Sequence, residues 1–304
     1  MMRAGDQFVG DVRSGTSGAS GVMADLVWAV IVVGIATAAT FIAAQRITRR
    51  FSRSSLLTVL LLVSAGLALY LQHGMDKPWV ARLIPLSNAI ILGNFSPLIA
   101  AVLAGTACNA ISGAWWRKLL IPGSMVLLAC WAAWQPLSAV QPIDGARLVK
   151  GIWRQTDQAS CAPSAAATFL NAQGIAATQD EMARLCRTTD QGTATLGLYR
   201  GLVLKTAGTP WKVQVVTADT IAALRDEATS PIIINTQLRT IADVDPLYVT
   251  DWGWAPGVRH TVVLLEFIGN RNLVVADPAV GRERWDLDNL RVLWHGEGFQ
   301  LVPR

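Results

Sequence analysis

Between Leu26 and Ala44 the chain carries no charged residue, and it then meets Arg46, Arg49, Arg50 and Arg53 in close succession. A helix built from that run has no polar face to offer water, and it is long enough for a hydrocarbon core of roughly 30 Å. This stretch restricts the N-terminal part to a membrane or a fully covered core. With 52% hydrophobic and 15% charged residues and a mean hydropathy of +0.38, the 304-residue chain is too apolar for an ordinary soluble protein. A cleavable signal sequence carries its positive charge before the apolar region. Here the arginines follow it, so the helix is expected to be retained.

Residues 1–22, rich in Gly, Ser, Arg and Asp without apolar periodicity, are expected to form a flexible tail. Beyond the first run, Leu56–Leu71, Leu83–Ala107 and Leu119–Trp134 are also apolar. The expected membrane region, 23–140, holds about four transmembrane helices at roughly 26–44, 55–72, 83–107 and 119–137. Pro85, Asn88, Asn94 and Pro97 interrupt the third, which reads as kinked or partly re-entrant. Trp79, Trp115, Trp116, Trp131 and Trp134 fall near the proposed ends, as interfacial aromatics do.

Basic residues then give an orientation. The arginines after the first run, with Arg117 and Lys118 after the third, favour the cytoplasm for those loops, and an even number of spans puts the C-terminal part outside. Arg147, Lys150 and Arg154 pull the other way. No acidic or basic residue lies deep within the runs, which weakens a transporter reading. The net charge of +5 is scattered or flanks apolar runs, so the lipid bilayer is the expected partner and nucleic acid is not.

From about Gln141 the composition becomes ordinary, and 141–304 is long enough for one self-contained core. Its first half reads mainly as helix: a helix from Cys161 ended by Gly174, one from the Thr178–Glu181 capping box through Cys186, and one over 195–206. The second half reads mainly as strand, with a hairpin of 261–268 and 273–276 around Gly269-Asn270-Arg271-Asn272. A short helix is expected over 286–294 and a closing strand over 299–302. The fold class is therefore an α-helical membrane region followed by an α+β domain with a cleft between its layers.

The chemistry centres on Gln155 to Asn171, QTDQASCAPSAAATFLN. Ser160 is positioned to cap a helix that opens at Cys161, where unpaired N–H groups and the positive end of the macrodipole favour the thiolate. Among the three histidines, His73 lies between spans and His295 in a polar segment, which leaves His260 as the base. Asp277 ends the partner strand. With the turn centred on Gly269-Asn270, Asp277 falls opposite Val262 and His260 is its same-face diagonal neighbour, roughly 7–8 Å away between backbones. Cys161 would attack a carbonyl carbon, His260 would carry the proton, and Asp277 would orient the imidazole. Gln155 and the Cys161 N–H would receive the oxyanion.

An isolated cysteine is more often a buried apolar side chain than a nucleophile, and Cys186, beside Met182 and Leu185, is read that way. A Cys161–Cys186 disulfide is the competing reading for an extracytoplasmic domain. The four cysteines form no CxxC pair and no zinc spacing, and no metal or other cofactor is expected.

Gln155 through Leu170, His260-Thr-Val-Val-Leu-Leu and Val275-Ala-Asp277-Pro-Ala-Val-Gly281 together resemble the papain-like cysteine peptidases that cut double-glycine leaders from bacteriocin precursors. The likeness covers about 150–304. It implies a bacterial inner-membrane thiol protease with Cys161, His260, Asp277 and Gln155 in those same roles. It also implies a peptide or protein precursor as substrate, cleavage after small residues such as Gly-Gly, and a separate transporter or secretion machine as partner. Thr193 falls where such domains carry a small polar residue. Three features depart from the family: Ala162 replaces the usual glycine after the nucleophile, the domain follows the membrane region instead of preceding it, and no GxxxxGK[ST] phosphate loop is present. The segment 237–259, with Tyr248, Asp251, Trp252 and Trp254, is expected to form a cleft wall in which Asp251, Trp252 and Trp254 bind substrate. The alternatives are an inactive peptide-binding module and a papain-like acyltransferase.

Overall fold

The computed structural model describes residues 16–84, 86–114, 140–228, 231–239 and 245–304, with isolated positions between 116 and 138. Helix α1 spans Thr16–Thr48, beginning inside the stretch expected as a tail, and α2 spans Arg53–His73. Their segments Leu26–Thr48 and Arg53–His73 are long and apolar enough to cross a membrane, and few of their side chains are buried within the protein.

The third expected span is not one helix. It is broken into α3 (Val80–Leu83), α4 (Ser87–Ile90) and the 15-residue α5 (Ser96–Ala110), with Gly93 and Asn94 in left-handed conformations before α5. The prolines and asparagines of this stretch act as punctuation. Helix α5 packs on α1 where Gly105 lets the backbones meet: a Cβ there would lie 2.6 Å from the Phe41 carbonyl oxygen. The expected fourth span lies mostly outside the described residues, so the count of about four stands on the sequence alone.

The C-terminal part begins with a short hairpin, β1 (Arg147–Val149) and β2 (Ile152–Arg154). Three helices follow: α6 (Cys161–Ala172), α7 (Gln179–Cys186) and α8 (Thr195–Thr206). Gly174 closes the α6 turn at φ +74°, and the Thr178 hydroxyl caps α7 through the Glu181 N–H at 3.2 Å. Then come β3 (Trp211–Thr217), α9 (Ile221–Glu227), β4 (Ile232–Gln237), α10 (Leu247–Thr250), β5 (Arg259–Ile268), β6 (Asn272–Asp277), β7 (Gly281–Asp286), α11 (Leu287–Leu293) and β8 (Trp294–Pro303). The six-stranded sheet is antiparallel in the order β3-β8-β4-β5-β6-β7. Strand β7 is unexpected from sequence. It is an edge strand whose arginines, Arg282 and Arg284, alternate with inward Trp285, and edge charge of this kind hides strand character.

The sheet separates two cores. On one face Phe169, Leu170, Met182, Leu198 and Leu202 from α6–α8 meet Ile233, Val263, Ala276 and Phe299. On the other, Ile232, Ile234, Val262, Leu264, Leu273, Val275 and Trp285 meet Leu224 and Leu290. The first core runs on into the N-terminal region through Leu26, Val80, Ile90 and Leu92. Helices α7 and α8 approach closely because Gly197 and Gly201 face Cys186: a Cβ at Gly197 would lie 2.5 Å from the Cys186 carbonyl oxygen, and one at Gly201 would overlap its sulfur.

Gly197→Ala is therefore expected to lower stability by about 1–2 kcal/mol, since the backbone clash outweighs the helix propensity gained. Urea unfolding monitored by circular dichroism checks this, and an unchanged midpoint would contradict the packing.

Candidate active site

The loop before Cys161 is built first. Ser160 is buried, but it does not cap α6. Its hydroxyl accepts from the backbone N–H groups of Thr156 and Asp157 at 3.0 and 3.1 Å, and it donates to the Asp157 carbonyl at 3.0 Å. The expected cap is thus a loop lock, because Ser160 has near-helical backbone angles (φ −98°, ψ 8°) and its side chain turns back over the preceding residues. Asp157 adds a bond from Gln141 Nε2 at 3.1 Å and one from the Ala159 N–H at 2.9 Å.

Gln155 is held from the opposite side. Its N–H donates to the Pro278 carbonyl at 3.0 Å, and the Arg154 guanidinium donates to the Ala279 carbonyl. Gly281, at φ +109°, makes room for this arginine: a Cβ there would lie 2.7 Å from Arg154 Nη1. The Gln155 side-chain oxygen is buried without a partner. A buried acceptor left without a partner is costly.

His260 Nε2 and Asp277 Oδ1 are 2.9 Å apart, and the same oxygen accepts the Ala279 N–H at 2.6 Å. The Cys161 thiol lies close enough to the imidazole to act on its charge. Burial disfavours the charged ring. Hydrogen bonds to Asp277 and Cys161, and their charges, outweigh that and raise His260 from 6.5 to about 10. Asp277 is almost fully buried and His260 largely so. Behind them, burial and the Asp277 charge push Glu283 up, while the Trp285 indole N–H, at 3.0 Å, holds it down.

The ladder that pairs β5 with β6 explains why these two meet. At the turn Ile268 faces Asn272 and Phe267 faces Leu273, so the loop is centred on Asn270. Between Glu266 and Leu264 the register shifts by one at Leu265, and Val263 then faces Ala276. Continued by one pair, this places Asp277 opposite Val262, the register expected from a turn centred on Gly269-Asn270. The observed turn is different, and the bulge makes up the difference.

Of the three residues expected to bind substrate, Trp254 stands edge-on to the His260 ring at 5.7 Å between centroids and to Trp285 at 6.0 Å. Trp252 is half exposed and stacks edge-on with Tyr248, and Asp251 is exposed, accepting from the Thr250 hydroxyl. None of the three lines the cleft at Cys161, and of the four expected catalytic residues only Cys161 itself does. That cleft, of about 750 Å³, is lined by Cys161, Gln158 and Thr193, by Val258 and Arg259, and by Asp76 and Ile90 of the N-terminal region, among others. Arg154 and Asp76 also belong to the site's scaffold and were not evident in the sequence, while Ser160 was expected there in a different role.

Cys161 and Cys186 are both free. Cys186 is fully buried, and burial pushes its thiol up to about 12, with the Arg200 charge opposing. Among the described residues no group of acidic, histidine or cysteine side chains is arranged to hold a metal.

With this geometry in hand, the comparisons define the class. Residues 151–301 match the model of the Peptidase_C39 like family. The C-terminal part is an α+β domain similar to that family. Among solved structures, the peptidase domain of Streptococcus ComA, a bifunctional ABC transporter involved in quorum sensing, is 21% identical. That match covers 50% of this chain and 96% of that one, with a TM-score of 0.38. A double glycine motif protease from an AMS/PCAT transporter, in complex with its leader peptide, is 17% identical over 55% of this chain and all of that one, with a TM-score of 0.39. No curated protein matches the chain.

A raised histidine stays charged until the pH climbs through its folded value, so an imidazolium needed to protonate a leaving amine is lost only toward pH 10. The alkaline limb of kcat/KM is expected far above 6.5, and Asp277→Asn is expected to lower it; a pH–rate profile with a limb near 6.5 would contradict the pairing. Deleting Leu265 is expected to keep activity in folded protein, because the uninterrupted ladder then still pairs Leu264 with Val275 and puts Asp277 opposite Val262; loss of activity in a folded deletion variant would contradict the bulge.

Proposed function

We propose that the chain is a membrane-anchored cysteine peptidase that hydrolyses a peptide bond in a precursor peptide or protein. The observation that carries this reading is the buried imidazole of His260, held by Asp277 at 2.9 Å between Nε2 and Oδ1 and near enough to Cys161 for the two to influence each other's charge. The match of residues 151–301 to a peptidase family supports it.

In this reading the Cys161 thiolate attacks the scissile carbonyl carbon, forming a C–S bond while the carbonyl pair moves onto oxygen. The Cys161 N–H at the start of α6 and the Gln155 side chain receive that oxyanion. As the tetrahedral species collapses, the C–N bond breaks and the imidazolium of His260 gives its proton to the departing amine. Water then attacks the thioester, with His260 as base, and the acid product leaves with the thiolate restored. Cleavage after small residues such as Gly-Gly, in a leader-bearing precursor handed to a separate transporter, follows from the family resemblance.

The orientation rests on one contact. Lys77, just after α2, lies 3.2 Å from Glu297, so the domain sits on the side of the membrane where α2 ends. The arginines at 46, 49, 50 and 53 lie at the other end of α2 and favour the cytoplasm. Together these support an extracytoplasmic domain.

Cys161→Ala is expected to abolish cleavage of a Gly-Gly-containing precursor, and Gln155→Ala to lower kcat about 10²–10³-fold. Mass spectrometry of the products, with and without an added amine acceptor, separates hydrolysis from acyl transfer. Cleavage by the Cys161→Ala protein would end the reading. A C-terminal reporter active only outside the cytoplasm is expected to be active.

A further inference from the structure

Helix α8 lacks a capping residue of its own. Its N-cap position is Ala194, which has no side-chain acceptor. The missing oxygens come from Asp76, in a left-handed conformation after α2: Oδ2 accepts the Thr195 N–H at 3.0 Å and Oδ1 the Leu196 N–H at 2.9 Å. Asp76 also pairs with Arg259 at 3.4 Å. That arginine immediately precedes His260 and, like Asp76, lines the Cys161 cleft. One carboxylate thus joins the N-terminal region, the α8 side of the cleft and the start of the strand that carries the histidine.

Neighbouring contacts fix the same junction. Arg82 donates to the Val215 carbonyl at 2.9 Å, and the fully buried Arg200 of α8 donates to Asn88 Oδ1 at 2.7 Å. Ile90 and Ile91, which line the same cleft as Cys161, are buried in the core shared with α8.

We propose that the segment after α2, from Met75 to Asn94, is a wall of the peptide-binding cleft, and that Asp76 is the positioning residue that holds it against α8 and Arg259. This rests on the peptidase reading. The substrate chain would lie between the Cys161 helix start and the turns of the N-terminal region. A short ligand occupying only the residues next to the scissile bond would not reach that wall; a longer one would.

The test uses the full chain and two reversible blockers of Cys161 alkylation by iodoacetamide: Gly-Gly aldehyde and a longer peptide aldehyde with the same end. The sulfur adds to the aldehyde carbon and the thiol proton goes to its oxygen, so binding is read without turnover. Asp76→Ala is expected to weaken the longer aldehyde about tenfold and the short one by less than about twofold, each measured against the variant's own uninhibited alkylation rate. Asp76→Asn keeps an acceptor oxygen for α8 and loses the charge facing Arg259. It covers the case in which the alanine variant does not fold, with a smaller loss of the same length dependence. Equal weakening of both aldehydes, or none, overturns the wall. If neither aldehyde protects Cys161 in the unsubstituted protein, the peptidase reading fails and the wall falls with it.

Discussion

Successive side chains of a strand point to opposite faces, so a histidine on one strand and an aspartate on the next can meet only if the residue count between them has the right parity. The ladder leaves its turn with Ile268 opposite Asn272, and continued without interruption it would put Asp277 opposite Val263. His260 would then lie on the other face. The extra residue at Leu265 changes the parity, and the packing records the change: Val262 and Leu264 enter the second core before the bulge, and Phe267 packs against it after. Every proton transfer assigned to His260 depends on Leu265 being bulged out of the ladder rather than paired within it.

The nucleophile is registered to the same place by different means. Arg154 and Gln155 bond the carbonyls of Ala279 and Pro278, in the turn that follows Asp277, while Ser160 folds the loop between Gln155 and Cys161. The distance from sulfur to imidazole is therefore set by a turn, not by the sheet alone. A charged imidazole in so buried a site would be strongly disfavoured without a partner, and the nearly buried Asp277 carboxylate supplies it. Trp254 stands edge-on against the ring, and Trp285 stands edge-on against Trp254 in turn.

Much of this was legible in the sequence because it follows from local rules. The Cys161 helix, the Thr178 cap and the hairpin each announce themselves by spacing, and their observed bounds agree with those expectations. The parity of His260 and Asp277 was legible too, although a turn and a bulge together produce the register that a simpler turn was expected to give. Ser160 shows where local rules stop: a serine before a helix reads as a cap, and only the folded loop reveals that two other N–H groups claim its oxygen. Asp251 and Trp252 lie in sequence beside Trp254, but α10 and the turns around it carry them away from the cleft.

The least legible feature is the junction between the two parts of the chain. An alanine at the start of α8 leaves orphan N–H groups, a local conflict that a self-sufficient domain would resolve within its own sequence. The carboxylate that resolves it is more than a hundred residues upstream, on a loop whose backbone is already in a conformation that asparagine and aspartate tolerate best. A flexible tether would leave both ends of this arrangement unsatisfied. The apolar N-terminal region is therefore better understood as a structural part of the domain's cleft than as an anchor alone, and placing it before the domain in sequence is what lets the end of α2 reach α8.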